Sequence, residues 1–320
     1  MVNLDSRFKS LQNVFVHGIV LGVVCIIPFC IPPFYQKLAV EAICLAVFAM
    51  SLDLIMGYAG MASFGHAAYF GLGGYTLGSV LMFWCPSIWP AFLAAGLLSG
   101  VLAFLIGVTS IRAKGIYFAI LTLAFAEVLY RVVFHTYALG GSDGLVGIPV
   151  PPLNLILVRV DLTNTLHFYY VAVAFAYISY LVCYRLVESP FGRVLRGIRD
   201  NEDRVSFLGF NVKQYKVIAF VISGVLAGWS GALFSLFKTF ADTEQLNFLL
   251  SGKVIVMALI GGMGTLLGPM LGAVLLTIVE SVASSYFKAH SIIIGTMFVL
   301  VVIFLPGGIF GLFSDLRNRR

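Results

Sequence analysis

Residues 188–216 read ESPFGRVLRGIRDNEDRVSFLGFNVKQYK and gather charge that the rest of the chain avoids. Arg193, Arg196, Arg199, Arg204, Lys213 and Lys216 alternate with Glu188, Asp200, Glu202 and Asp203. The protein around them is 60% hydrophobic and only 11% charged. Mixed guanidinium and carboxylate groups bind complementary surfaces; they do not make or break bonds. Val194, Leu195, Ile198, Val205 and Leu208 recur between them at helical spacing, which predicts a short helix and then a break near Gly209. Such a loop lies on anionic lipid or grips a protein partner. Four acids among the bases favour the protein partner.

The other polar groups offer little reaction chemistry. Ser63 and His66 are close in sequence but have no acidic third member and no fixed oxyanion site, so a nucleophilic triad is not read here. His66 is expected to bond between helices or to line a wet path. There is no GxxxxGK[ST] phosphate cradle, no HExxH and no cysteine pair with metal spacing. Five cysteines is an odd number, and they read as small buried hydrophobes. Glu41, Asp53, Glu127, Arg131 and Glu280 lie in or beside apolar runs, where ionisable groups are costly and suggest function. Glu127 and Arg131 are four apart, on one helix face. Asp53 and Glu41 are placed near span ends within reach of water, and Lys253 at an outer end. No series of midspan carboxylates suited to a proton relay is present. No catalytic residue and no resident metal or cofactor is read from the chain.

The elements that position these groups are set by composition. The 320 residues have a mean hydropathy of +1.01, too apolar for a soluble fold. Apolar runs of helix length recur throughout, so the spans are helices, not barrel strands. Ten segments emerge, near 14–34, 38–56, 60–82, 88–110, 116–135, 166–187, 215–237, 249–262, 266–284 and 290–306. The expectation is an all-α polytopic membrane protein forming one transmembrane domain over residues 1–320. The net charge of +6 sits in loops and at the ends, which is a topology signal and no nucleic-acid signal. With ten spans, Arg7, Lys9, Arg112, Lys114, the loop 188–214 and the C-terminal arginines all fall on one side, assigned to the cytoplasm with both termini. Residues 135–165, rich in Gly and Pro, then form an ordered loop outside.

Ten spans split into two halves of five, and an odd number per half makes the halves inverted. The Gly-rich third segment then matches the short, Gly-rich eighth. Paired glycine-interrupted segments in inverted halves point to a transport site, and small residues also let helices pack closely. The candidate path residues are Ser63, His66, Gly73, Gly74 and Tyr75 on one segment and Gly261, Gly262 and Gly264 on the other. The candidate docking residues are Gly192, Arg193, Arg196, Arg199, Asp200, Glu202, Leu208 and Gly209.

Five stretches carry a family resemblance. They are GYAGMASFGHAAYFGLGGYT at Gly57–Thr76, GIYFAILTLAFAEVL at Gly115–Leu129, GGSDGLVGIP at Gly140–Pro149, the region Gly192–Leu233, and GGMGTLLGPMLGA at Gly261–Ala273. With them the chain resembles the LivM-type permeases of branched-chain amino-acid ABC importers, from about residue 40 to 310. The resemblance implies a type II ABC importer architecture in a bacterial inner membrane. It implies a heterodimer with a sister permease, two cytosolic ATPase subunits that hold ATP and Mg, and an extracytoplasmic solute-binding protein. The docking residues become the coupling to the ATPases, with force entering between Arg193 and Leu208. The solute implied is a small zwitterion such as leucine, isoleucine or valine. Urea or a short amide within the same family, or an autonomous secondary transporter, are the alternatives.

Overall fold

The computed structural model describes residues 26–29, 31–154, 159–286, 295–296 and 308–309. Its long helices are α1 (Pro33–Met56), α2 (Ala67–Ser79), α3 (Ile88–Ser110), α4 (Ile116–Phe134), α5 (Thr165–Glu188), α8 (Val212–Lys238), α9 (Phe248–Gly261) and α10 (Leu267–Tyr286). Two short helices, α6 (Pro190–Asp200) and α7 (Glu202–Phe207), join α5 to α8. Among the described residues six helices are long and apolar enough to cross a membrane: α1, α3, α4, α5, α8 and α10. The expected segments 14–34 and 290–306 fall largely outside the described residues.

Helix starts follow local chemistry. Asn164, Asn201, Asn211 and Asn247 each accept a backbone N–H at the start of a helix, and Ser189 does so ahead of Pro190. Each cap satisfies one orphan donor of the first turn. The third segment is not one continuous helix from residue 60, as its composition suggested. Residues 57–66 are non-helical, α2 begins at Ala67, and the helix widens into a π turn over Val80–Trp84. The glycines of this stretch divide: Gly57, Gly60 and Gly65 serve its entry turn, where Gly60 has a φ of 70°, and Gly71, Gly73, Gly74 and Gly78 lie in the helix at close contacts.

α8 is the axis of the bundle and packs on α1, α2 and α3. Small residues permit the contact. A Cβ on Gly73 would overlap the backbone of Gly228, and one on Gly231 would overlap the carbonyl of Phe70. Serines then cross-link the helices where no water is available. Ser223 donates to Ser51 O, Ser230 to Cys44 O, and Ser99 to Tyr69 O at 3.2 Å. Aromatic rings of Phe48, Tyr69, Phe70, Phe118 and Phe220 fill the space between.

The described residues between α4 and α5, 135–154 and 159–164, form turns and short strands, as expected of the loop 135–165. Short strands β1 (Leu145–Val146) and β4 (Phe240–Ala241) pair antiparallel, as do β2 (Leu153–Asn154) and β3 (Arg159–Val160). Thr163 donates from both its backbone N–H and its hydroxyl to Asp161 and holds that carboxyl below its ordinary pKa. This loop, the start of α5 and the end of α8 share one end of the bundle. The opposite end carries α6, α7 and the α3–α4 turn, where Lys114 reaches Asp203 at 3.4 Å.

Candidate functional site

The loop between α5 and α8 is a folded platform. Leu195, Ile198 and Val205 are buried and turn its apolar stripe inward. Leu208, read from its spacing as part of the same stripe, is instead 71% exposed, and Phe207 beside it is 91% exposed. Gly209, with a φ of 87°, provides the expected break. The tip therefore shows two large apolar side chains to solvent at the end of a charged loop.

The base of the platform is tied to the bundle. Gly192 is buried against the backbone of Val187, leaving no room for a Cβ. Arg196 pairs with Glu188 at 2.8 Å and lies 5.6 Å over the ring of Tyr58. Lys216, at the start of α8, pairs with Glu202 of α7 at 2.7 Å. Arg193, Asp200 and Asn201 are exposed. A cleft of about 230 Å³ lies under the platform, bordered by Gly60, Lys114, Arg199, Glu202 and Lys216.

Arg199 reaches furthest. Its guanidinium donates to Gly57 O, and its side chain runs between Gly60 and Gly264. Beside it stands Asp53, one of the residues expected to meet water. It does not: Asp53 is fully buried. Its carboxyl oxygens accept Gly264 N at 2.7 Å and Leu266 N at 3.0 Å. Asp53 is the acceptor that the α9–α10 turn needs: Gly262 N still closes α9 on Ala258 O, but Gly264 and Leu266, both at positive φ, have amides outside helical bonding. Its position in an apolar run showed an unusual acid, but not the partner more than 200 residues away.

The second region lies within the bundle. His66 is buried, with Nε2 2.9 Å from Ser51 Oγ and 3.4 Å from Ser223 Oγ, and its ring stacks on Phe48. The interhelical bond expected of His66 is therefore present. Ala67 N, at the start of α2, donates to Ser251 Oγ of α9 at 2.8 Å. The two Gly-rich segments thus touch directly. Ser63 Oγ, His66 Nδ1 and Tyr75 Oη are buried without a hydrogen-bond partner among the described residues. Gly73 packs on Gly228, Gly74 on Ser235 and Gln245, and Gly261 on the backbone of Gly268. Gly262 and Gly264 form the turn already described. Lys253 lies within α9, not at its outer end, and pairs with Glu280 of α10; Lys238 pairs with Glu41. Among the described residues no group of His, Cys, Asp and Glu is arranged to hold a metal ion.

A helical bundle in which six described helices are long and apolar enough to cross a membrane defines a multi-pass membrane protein. Residues 34–302 match the family of permease components of branched-chain amino acid transport systems, and the chain belongs to that family. It is 28% identical over 302 residues to the high-affinity branched-chain amino acid transport system permease protein LivM of Salmonella typhimurium, covering 88% of this chain and 71% of that one. It is 27% identical over 281 residues to a probable LivM permease of Methanocaldococcus jannaschii, covering 75% and 78% of the two chains. The permease protein LivH of Escherichia coli is 28% identical over 125 residues, covering 38% of this chain and 40% of that one. No solved structure matches the chain.

Proposed function

We propose that this chain forms one half of the membrane pathway of an ATP-driven importer for branched-chain amino acids. The other half is a sister permease. Two ATPase subunits, carrying the ATP and Mg, dock on the α6–α7 platform, and a solute-binding protein delivers the amino acid at the opposite end. In this reading the chain has ten spans in two inverted halves, with both termini and the platform in the cytoplasm of a bacterial inner membrane. The chain itself supplies no catalytic group and no cofactor.

One observation supports this reading above the others. Phe207 and Leu208 are exposed on a platform whose own apolar stripe is buried and whose base is anchored by Arg196, Arg199 and Lys216. A free-standing loop has no reason to be so anchored. A surface that receives force does, and its charged rim and apolar centre match the make-up of protein interfaces. The touching Gly-rich segments, with Ser63 Oγ, His66 Nδ1 and Tyr75 Oη buried without a partner among the described residues, support a path near α2 and α9.

The experiment is uptake of labelled leucine by vesicles holding this chain with its sister permease and ATPases, with binding protein outside. Uptake is expected only with ATP inside, competed by valine and not by urea. Uptake by this chain alone, without ATPases, overturns the reading. Competition by urea and not valine moves the solute to the amides.

A further inference from the structure

Of the six long apolar helices, α4 is the least covered by its own chain. Its uncovered face is a single stripe. Ile120, Ala124, Val128 and Arg131 are exposed at spacings of four, four and three, while Phe118, Ala119, Thr122, Ala126 and Val133 are buried on the other side. Glu127 borders that stripe and pairs with Arg131 at 2.8 Å, with side-chain exposures of 36% and 65%. Glu127 lies seven residues inside the helix end at Phe134, roughly 10 Å at 1.5 Å per residue.

Lipid, dry protein or water can face this stripe. Lipid is unfavourable, because the Glu127 carboxylate at that depth is expensive in hydrocarbon, although Arg131 sits in the last turn of the helix. A dry interface is unfavourable too where the partner surface brings no matching groups. The pair uses only Arg131 Nε and Glu127 Oε1. Among the described residues nothing else bonds the two terminal nitrogens of Arg131 or the second oxygen of Glu127. Sealing those groups in without partners costs more than the pair returns. Water leaves them satisfied.

The geometry points to a zwitterion-binding station on a water-filled solute path along α4, with Arg131 taking the α-carboxylate and Glu127 the α-ammonium of an amino acid. The free guanidinium fork matches a carboxylate in shape and charge. The free Glu127 oxygen lies next to it, as the ammonium lies next to the carboxylate. Below the pair, Ile120, Ala124 and Val128 give an aliphatic side chain an apolar surface to follow. The station rests on the permease reading above and adds the residues that meet the solute.

The test uses the whole importer in vesicles, with sister permease, ATPases and binding protein. Arg131→Gln and Glu127→Gln are each expected to lower the initial rate of ATP-driven leucine uptake roughly tenfold or more, the scale of one lost charge-assisted hydrogen bond. In a background without native cysteines, Ala124→Cys and Val128→Cys are expected to react with a charged, water-soluble thiol reagent, and leucine is expected to slow that reaction. A helix pair with a purely structural role gives no such protection. Normal uptake by both Gln variants overturns the station. So does a cysteine at 124 or 128 that is inert to the reagent or unaffected by leucine. If the unaltered importer takes up no leucine, the permease reading falls and the station with it.

Discussion

Arg199, on the platform, donates a hydrogen bond to the backbone carbonyl of Gly57, 142 positions earlier in the chain. Gly57 closes α1, and the Asp53 carboxyl one turn before it holds the amides of Gly264 and Leu266. Three distant segments therefore meet at one point: the platform, the end of α1, and the turn between α9 and α10. Arg199 of α6 thus touches both glycine turns at once.

Arg199→Gln is expected to uncouple the platform from those turns. The chain should still insert and assemble, with a loss of roughly 1–3 kcal/mol for a charged hydrogen bond. ATP hydrolysis by the assembled importer should continue while leucine uptake falls. Parallel ATPase and uptake assays check this, and equal loss of both activities counts against it.

Asp53→Asn keeps the size of the side chain but places an amide donor against one of two backbone donors. An unsatisfied buried N–H then costs about 1–3 kcal/mol, and Asp53→Ala, which abandons both, should cost more. Thermal unfolding in detergent is the measurement, with midpoints ordered wild type, Asn, Ala.

The glycines separate into those that tolerate a methyl group and those that do not. Gly73→Ala meets the backbone of Gly228, which cannot yield, and should block folded expression. Gly74→Ala meets the Ser235 and Gln245 side chains and should be milder. Gly252→Ala has open space around it inside α9 and should be neutral, or stabilising by up to about 1 kcal/mol through helix propensity. Detergent-solubilised yield and melting temperature rank the three.

Phe207→Asp should leave the fold of the chain intact, since that side chain is 91% exposed. It should release the ATPases, because a carboxylate in the centre of an apolar contact goes unpaired. Co-purification of the ATPases with tagged chain is the readout. Retention at the wild-type ratio would place the docking surface elsewhere.

Topology has its own check. In a variant lacking the five native cysteines, single cysteines at Asn154 and Asn201 occupy opposite ends of the bundle. An impermeant thiol reagent applied to intact cells should label position 154 and spare position 201. The reverse pattern inverts the orientation proposed above.

The sequence showed the platform well and the wiring beneath it poorly. Helical spacing of Leu195, Ile198 and Val205 is local and survived folding, because those side chains face the bundle. The same spacing misplaced Leu208, since α7 ends at Phe207 and the chain turns away. Asp53 looked wet from its place near a helix end. Its partners lie in a turn whose positive φ values no pattern of residue types reveals. The Gly-rich stretch 60–82 read as one span because glycine at a turn and glycine at a helix contact look alike in one dimension. The Glu127–Arg131 pair was legible from spacing alone, but only the exposure of α4 shows that it faces outward.

Gly228 lies backbone to backbone on Gly73, with no side chain between to absorb movement. A cushion of rotamers lets neighbouring helices slip; bare peptide against bare peptide does not. α8 starts at Val212, at the edge of the platform, and meets α2 at that bare contact. The departures from helix lie elsewhere, at Gly57–Gly65 and Gly262–Leu266, the elbows of the chain.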